Sequence, residues 1–383
     1  TRAADAPKAP SEDNPKSPYA DAVFVDGEPP LPSEGSFTFA VLPDTQFYSQ
    51  KYPDTFLAQT RWIVEQRERR RIAGVLHLGD ITNSNTVPQW ENARKALQVL
   101  MDAQMPMCLV PGNHDYGSGG GCVDRTTMMS QFLPVKDLAV AKHWKGTYDK
   151  EPARSENSWH FLEAGGRKFL ILCLEFGPRN DVLRWANEVV AAHPDREVIL
   201  VTHAHIYHDD TRYDQVRYGK KQNHNPHTYF AKAQPDINDG EEVWAKLISR
   251  HENFILTLNG HVTADGLGRV VTSTAKGHAV PQVLVNFQMK PNGGDGWLRL
   301  MEFDLDAQRP RLRLRAYSTY FKAYASDLPQ YAAWYGHEHP EMSEAEFRAL
   351  DDVEFDLVDF HTRFERARVD GETANETQMA QRA

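Results

Sequence analysis

Along this chain, apolar runs of strand length alternate with stretches of helical period, and one run after another stops at a residue type that binds metal. "FTFAVL" leads into "TFLAQTRWIVEQRER", "GVLHL" into "PQWENARKALQVLMDA", and "MCLV" into "PGNHD". Later come "KFLILCLEF", "DVLRWANEVVAAH", "EVILVTH", "GEEVWAKLISRH" with Asn238 or Asp239 as its N-cap, and "NFILTLNGH". That rhythm builds βαβ units around a parallel or mixed sheet. From Gly268 it changes, and "RVVTST", "PQVLVNFQ", "WLRLMEFDL" and "RLRLRAY" read as an antiparallel meander. One sheet then collects the first strands and the last ones complete a second. The fold expected is α/β, a four-layer αββα sandwich of two mixed β-sheets flanked by helices.

At 383 residues with 40% hydrophobic content, the chain suits one large α/β domain with elaborations or two small ones. Its formal net charge of −10 weighs against a nucleic-acid polymer as partner, since a polyphosphate needs a positive footprint. The one basic run, Arg67 to Arg71, reads as a helix C-terminus matched to its dipole. No run approaches the ~18 apolar residues of a membrane span. The chain opens Thr-Arg-Ala-Ala-Asp and continues polar and Pro-rich to about Pro32. Such a start is what removal of a signal peptide leaves, and it implies a periplasmic or secreted protein; a trimmed cytoplasmic chain would look the same.

Three parts are expected: a flexible polar lead over 1–35, a main domain over 36–325 with an insertion at 206–235, and a C-terminal extension over 326–383 that frays after about Phe364. The insertion is rich in His, Asp, Tyr and Asn, including His208, Tyr213, His224 and His227. Structureless loops longer than about 15 residues are usually functional or disordered. Gly117 to Gly121 reads as a second flexible loop. The "NET" at Asn375 matches a glycosylation acceptor by chance. Three cysteines are too few for a disulfide scaffold. Cys108 and Cys173 lie in apolar runs and read as core, Cys122 as the one that sees solvent, and none has metal-ligand spacing.

The strand ends carry the chemistry. They present Asp44 and Gln46, then Asp80, then Asn113 and His114, then His203, then His261. A lone Asp or His after a strand is usually a cap, but α/β sheets gather their strand ends along one edge, and this repetition points to a metal site there. In order, the segments "PDTQ", "GDITN", "GNHD", "THAH" and "NGHVT" resemble the motifs of the calcineurin-like metallophosphoesterases over about Phe37 to Tyr320. The Asp-x-Gln opening, with "NFQ", "GGDGWLRL" and "YSTY", is similar to a bacterial branch of that superfamily.

That resemblance implies the αββα fold and a centre of two divalent ions, Mn, Zn, Fe, Mg or Ca. Asp80 would bridge them, Asn113, His203 and His261 would complete one, and Asp44 and Gln46 would hold the other. It implies hydrolysis of a small phosphomonoester or phosphodiester by a metal-bridging hydroxide, with His114 hydrogen-bonding the phosphoryl group or protonating the leaving oxygen, and Asp115 holding the His114 ring. Two departures concern the ion near Asp44. Gln46 stands where the family has histidine, and Thr263 stands where it has another, so the shell there is oxygen-rich. Asp265 is either a replacement carboxylate or part of an "ADG" turn. His205 shares a side with His203 and is a further outer-site residue. Arg179 either contacts a phosphate oxygen or pairs with a carboxylate. The rival reading is a non-catalytic binding protein on the same fold with a degenerate outer metal site.

Overall fold

The computed structural model describes residues 19–25, 27–231, 236–305, 309–336, 340 and 342–357. Among them, the first seven strands are β1 (Phe37–Leu42), β2 (Ile72–His77), β3 (Met107–Leu109), β4 (Trp144–Thr147), β5 (Ser158–Ala164), β6 (Arg167–Leu174) and β7 (Glu197–Thr202). They are followed by β8 (Phe254–Asn259), β9 (Leu267–Ser273), β10 (Ala279–Val285), β11 (Trp297–Asp304), β12 (Arg311–Ser318), β13 (Ala323–Tyr324) and β14 (Asp352–Asp356). The first sheet runs β13-β12-β11-β1-β2-β3, with β14 also on β12, and the second runs β4-β5-β6-β7-β8-β10-β9. Both are mixed. Parallel β1-β2-β3 is joined by antiparallel β11, and parallel β6-β7-β8-β10 is flanked by antiparallel β5 and β9.

Strands buried on both faces read as unbroken apolar runs, which is why "FTFAVL" shows little alternation. The period of two still sorts its side chains: Phe39 and Val41 enter the layer between the sheets, whereas Ala40 and Leu42 face the outer helices. Between the sheets, Phe37, Phe39, Phe169 and Phe303 pack with ring centroids 5.1 to 6.0 Å apart. Each such burial contributes about 1.5–3 kcal/mol. Helices Pro53–Gln66 and Val87–Asp102 carry a proline in the first turn and cover the outer face of the first sheet with Phe56, Ile63, Trp90, Leu97 and Leu100. Helix Asn180–Ala191 covers the second sheet with Val182, Leu183, Ala186 and Val190. The four αββα layers follow.

The C-terminal strands correct the expected meander, because it is divided between the sheets. β9 and β10 form a hairpin on the second sheet, while β11 and β12 cross back to lie beside β1 in the first. Alternation in each strand is satisfied by either sheet, so periodicity cannot choose. The C-terminal extension also enters the fold as far as it is described: β14 pairs with β12, and Tyr331, Tyr335, Phe347 and Phe355 pack on the inter-sheet core.

Arg67 to Arg71 does not end the helix as expected, since the helix stops at Gln66. Arg70 is buried and donates to the Pro29 and Pro30 carbonyls and to Tyr324 Oη. With Glu28 accepting from Trp62 and Tyr317, it holds the described part of the lead against the domain. Cys122 is buried, contrary to the expectation of exposure, because Tyr116 and Phe230 close over it in the same apolar cluster. In the glycine loop, Gly120 is buried, and a Cβ there would crowd the carbonyls of Asn83 and His114. The helix at Gly240–Lys246 takes Asp239 as N-cap in a reciprocal capping box with Glu242. The tail beyond Leu357, with Asn375, lies outside the described residues.

Candidate metal centre

The carboxyl ends of β1, β2, β3, β7 and β8 meet at one place between the sheets. One donor atom each of Asp44, Asp80 and His203 lies within 4.8 Å of the others, and all three residues are buried. His203 Nδ1 donates to the Leu78 carbonyl at 2.8 Å, which directs Nε2 towards Asn113 Oδ1 at 3.1 Å and Asp80 Oδ1 at 3.2 Å, and makes Nε2 the nitrogen that would meet a cation on giving up its proton. Nitrogen and oxygen donor atoms thus converge on one buried place.

The backbone approach requires the motif glycines. A Cβ on Gly112 would overlap Asp80, and one on Gly260 would overlap Asp44. Asp80 and His261 themselves sit at φ +46 and φ +75, uncommon values for residues with side chains and of the kind found at functional turns. His77 ties two tips together, its Nδ1 accepting from Gly79 N–H and its Nε2 meeting Thr45 Oγ1 at 3.0 Å.

Electrostatics show what the group lacks. Burial, reinforced by Asp80, raises the Asp44 pKa to about 8 despite the opposing pull of His203. Burial also opposes charge on Asp80, but the His203 and His114 imidazoles hold it well below the usual carboxylate range. His203, penalised by burial, is lifted to about 9 by Asp80. One imidazolium therefore balances one carboxylate, and the second stays protonated for want of positive charge. Among the described residues, two buried acceptors of this group have no partner, Asp44 Oδ1 and Gln46 Oε1. A cation fits this donor set: it would replace the shared protons and occupy both orphaned oxygens.

Gln46 is the first residue of a short helix, Gln46–Lys51, that follows β1. Its Nε2 donates to Asn83 Oδ1 at 2.9 Å, which turns Oε1 to the unpartnered position. His261 donates through its backbone N–H to Asp44 Oδ2 at 3.0 Å and through Nε2 to the His224 carbonyl at 2.8 Å, leaving Nδ1 as its available lone pair. Its ring centroid is 4.9 Å from that of His203. His114 is half-buried, donates its backbone N–H to Asp80 Oδ1, and holds Nδ1 on the Asn83 carbonyl at 2.8 Å.

A family profile described as calcineurin-like phosphoesterase matches residues 37–290, well over half of the chain. The chain belongs to the calcineurin-like phosphoesterases. The chain is 26% identical over 311 residues to the uncharacterized protein YvnB of Bacillus subtilis (strain 168), a match that takes in 78% of the present chain but 21% of YvnB. Solved structures to which it is similar include a purple acid phosphatase, PPD1, from yellow lupin (Lupinus luteus) seeds, at 13% identity and a TM-score of 0.43 over 78% of this chain and 54% of that one. Another is a 5'-nucleotidase precursor from Thermus thermophilus, at 12% identity and a TM-score of 0.37 over 76% and 53%.

Several of the expected site residues are engaged elsewhere. Asp115 does not hold the His114 ring; its carboxylate accepts from the backbone N–H of Ile81, Thr82 and Gly112 and from Thr82 Oγ1. It shapes the turn after Asp80. His205 is bonded to Gln282 Oε1 at 2.9 Å, outside the carboxylate group. Arg179 is committed to Glu151 and Glu175 in four side-chain bonds of 2.7 to 3.1 Å, so pairing with carboxylates is the outcome. Asp265 accepts from Leu267 N–H inside a turn closed by Gly266 N–H on the Thr263 carbonyl, which is the turn reading. Thr263 is half-buried on that turn.

Two further residues emerge. Asn286 donates to Asp44 Oδ2 at 2.9 Å and so helps to aim that carboxylate. The hint was available in "VNFQ", an Asn directly after a strand, but its partner is 242 residues away. The insertion supplies His224 and Tyr229: Tyr229 Oη lies 3.2 Å from His224 Nδ1, and its ring packs on Phe176 and His261 at 5.1 and 5.9 Å. The loop thus borders the centre, while His227 serves Glu242 and Tyr213 is buried beneath.

Proposed function

We propose that this phosphoesterase is a metal-dependent hydrolase of phosphoric esters, with a small phosphomonoester or phosphodiester as substrate. The observation that carries this reading is the convergence of Asp44, Asp80 and His203 in a buried group short of positive charge. Asp80 would be shared between two divalent ions, with Asn113, His203 and His261 on one side and Asp44 and Gln46 on the other. Such ions supply Lewis acidity towards phosphoryl oxygens and acidify water at neutral pH. The oxygen donors of Asp44 and Gln46 favour Mn, Mg or Ca on their side, whereas two imidazoles on the other suit Zn, Mn or Fe.

The chain's own groups divide the remaining work. Asp115 fixes the turn that presents Asp80, and Asn286 with His261 N–H orients Asp44. With Nδ1 tethered to Asn83, His114 offers Nε2 to the ester, as hydrogen-bond donor or as acid for the departing oxygen. Phe176 and Tyr229 pack together on the His261 ring and would form an apolar wall beside the ester.

The test is metal analysis of the purified protein alongside hydrolysis of an aryl phosphomonoester and a bis-aryl phosphodiester under several divalent ions. Activity that follows metal loading, with both activity and metal retention abolished in Asp80→Asn, is expected. Full activity of Asp80→Asn with unchanged metal content would overturn the bridging role. A folded, metal-loaded protein inert to both esters would favour the binding-protein reading.

A further inference from the structure

A second set of metal-ligand side chains lies where the two sheets end together, apart from the phosphoesterase centre. One donor atom each of Cys108, His143 and His160 lies within 4.8 Å of the others. Cys108 is on β3, the last strand of the first sheet; His160 is on β5, next to the last strand of the second; His143 immediately precedes that last strand, β4. Cys108 and His160 are fully buried, and half-buried His143 closes the edge.

Ordinary core packing does not account for the imidazoles. His160 Nε2 meets Ser158 Oγ at 2.9 Å, but its Nδ1 is buried with no partner among the described residues. An apolar side chain at this inward-facing position of β5 would avoid that penalty. His143 Nε2 lies 3.1 Å from the Met107 carbonyl and 3.2 Å from the Met107 N–H. Donation to that carbonyl leaves Nδ1 of His143 unprotonated, as donation to Ser158 leaves Nδ1 of His160. An imidazole whose second nitrogen is tethered to an oxygen acceptor is the usual arrangement for a metal ligand. The two rings stack at 5.4 Å, so they present their edges to a common region. The Cys173 thiol is hydrogen-bonded to Cys108 and is a source of a fourth ligand.

We propose that Cys108, His143 and His160 bind a zinc ion that clamps the open edge of the sandwich. One thiolate with two imidazoles is a soft, nitrogen-rich set that selects zinc over Mn, Mg or Ca. Bond lengths of about 2.0–2.3 Å place tetrahedral ligands about 3.5 Å apart, so binding draws the three donors together by at most about 1 Å. The Cys108 thiol proton is released to solvent as the Zn–S bond forms, and no electron is transferred. Among the described residues, no strand pairing joins β3 to the second sheet, and the ion would supply a cross-link there.

Cobalt(II) distinguishes this site from the phosphoesterase centre, whose donors are oxygen and nitrogen alone. Chelator-stripped full chain titrated with cobalt should develop a thiolate-to-cobalt charge-transfer band whose full intensity corresponds to one thiolate-bound ion per chain and which zinc displaces. Asp80→Asn should keep the band, Cys108→Ser should lose it, and His143→Ala, altered at the half-buried edge and so able to fold, should weaken cobalt binding at least tenfold. Zinc should raise the thermal midpoint of Asp80→Asn but not of Asp80→Asn combined with His143→Ala. Absence of the band under excess cobalt, its survival in Cys108→Ser, or recovery of a Cys108–Cys173 disulfide from the native protein would overturn the proposal. None of these readouts depends on ester hydrolysis.

Discussion

Asn286→Ala tests whether Asp44 is a positioned metal ligand. Asp44 Oδ2 has two donors, the His261 backbone N–H at 3.0 Å and Asn286 Nδ2 at 2.9 Å, while Oδ1 has no partner among the described residues. Removing Asn286 Nδ2 deletes one of two bonds to a carboxylate, and bonds to charged groups contribute about 1.5–3 kcal/mol. The same range follows from the ~10–100-fold loss of metal affinity typical when a group that orients a ligand is removed. We therefore expect the metal concentration for half-activity to rise about 10–100-fold, with kcat at saturating metal changed only a few-fold. Calorimetric titration of chelator-stripped protein with Mn measures the affinity directly, and urea unfolding of the same samples checks the fold. A binding curve superimposable on the wild type, in a protein of normal stability, would refute the reasoning. It would mean that Asp44 is either not a ligand or is held by His261 alone.

Three further outcomes are expected. His114→Ala should retain its metal and lower kcat about 10²–10⁴-fold, as for loss of a general acid; metal loss in that variant would make His114 a ligand. Gln46→Ala should raise the metal concentration for half-activity and Gln46→His should shift preference towards Zn, because imidazole replaces an amide oxygen; indistinguishable titrations of the three proteins would remove Gln46 from the shell. Asp295 is buried among Tyr19, Tyr335 and Asn292, and burial raises its pKa from 3.8 to about 6 against the hydrogen bonds that lower it. A raised folded-state pKa gives stability that is present below about pH 4 and lost as pH rises through 6, roughly 3 kcal/mol in all. The wild type should thus lose stability relative to Asp295→Asn between pH 4 and 7, and parallel pH profiles from thermal melts would contradict this.

Much of the candidate site was legible in residue order and in the motifs it spells. Asp44, Asp80, Asn113, His203 and His261 each follow an apolar strand, and the α/β rhythm obliges those strand ends to meet, so local sequence sufficed to nominate them. The same local logic gave the four layers and narrowed the helix cap to Asn238 or Asp239, of which the structure takes Asp239. What needed the tertiary structure was every choice among equally suitable partners. Arg179 could face phosphate or carboxylate, and Glu151 and Glu175 took it. Asp115 could hold a ring or a turn, and three backbone N–H groups took it. Alternation in β9 to β12 suits either sheet, and only the crossing after Val285 assigned them. Cys108, His143 and His160 have no ligand spacing in sequence because they are brought together by the edges of two different sheets. Periodicity and motif order report which face a residue occupies and where its strand ends. Which side chain waits on the other side is set by packing between elements far apart in the chain, and that is decided only when the sheets close on one another.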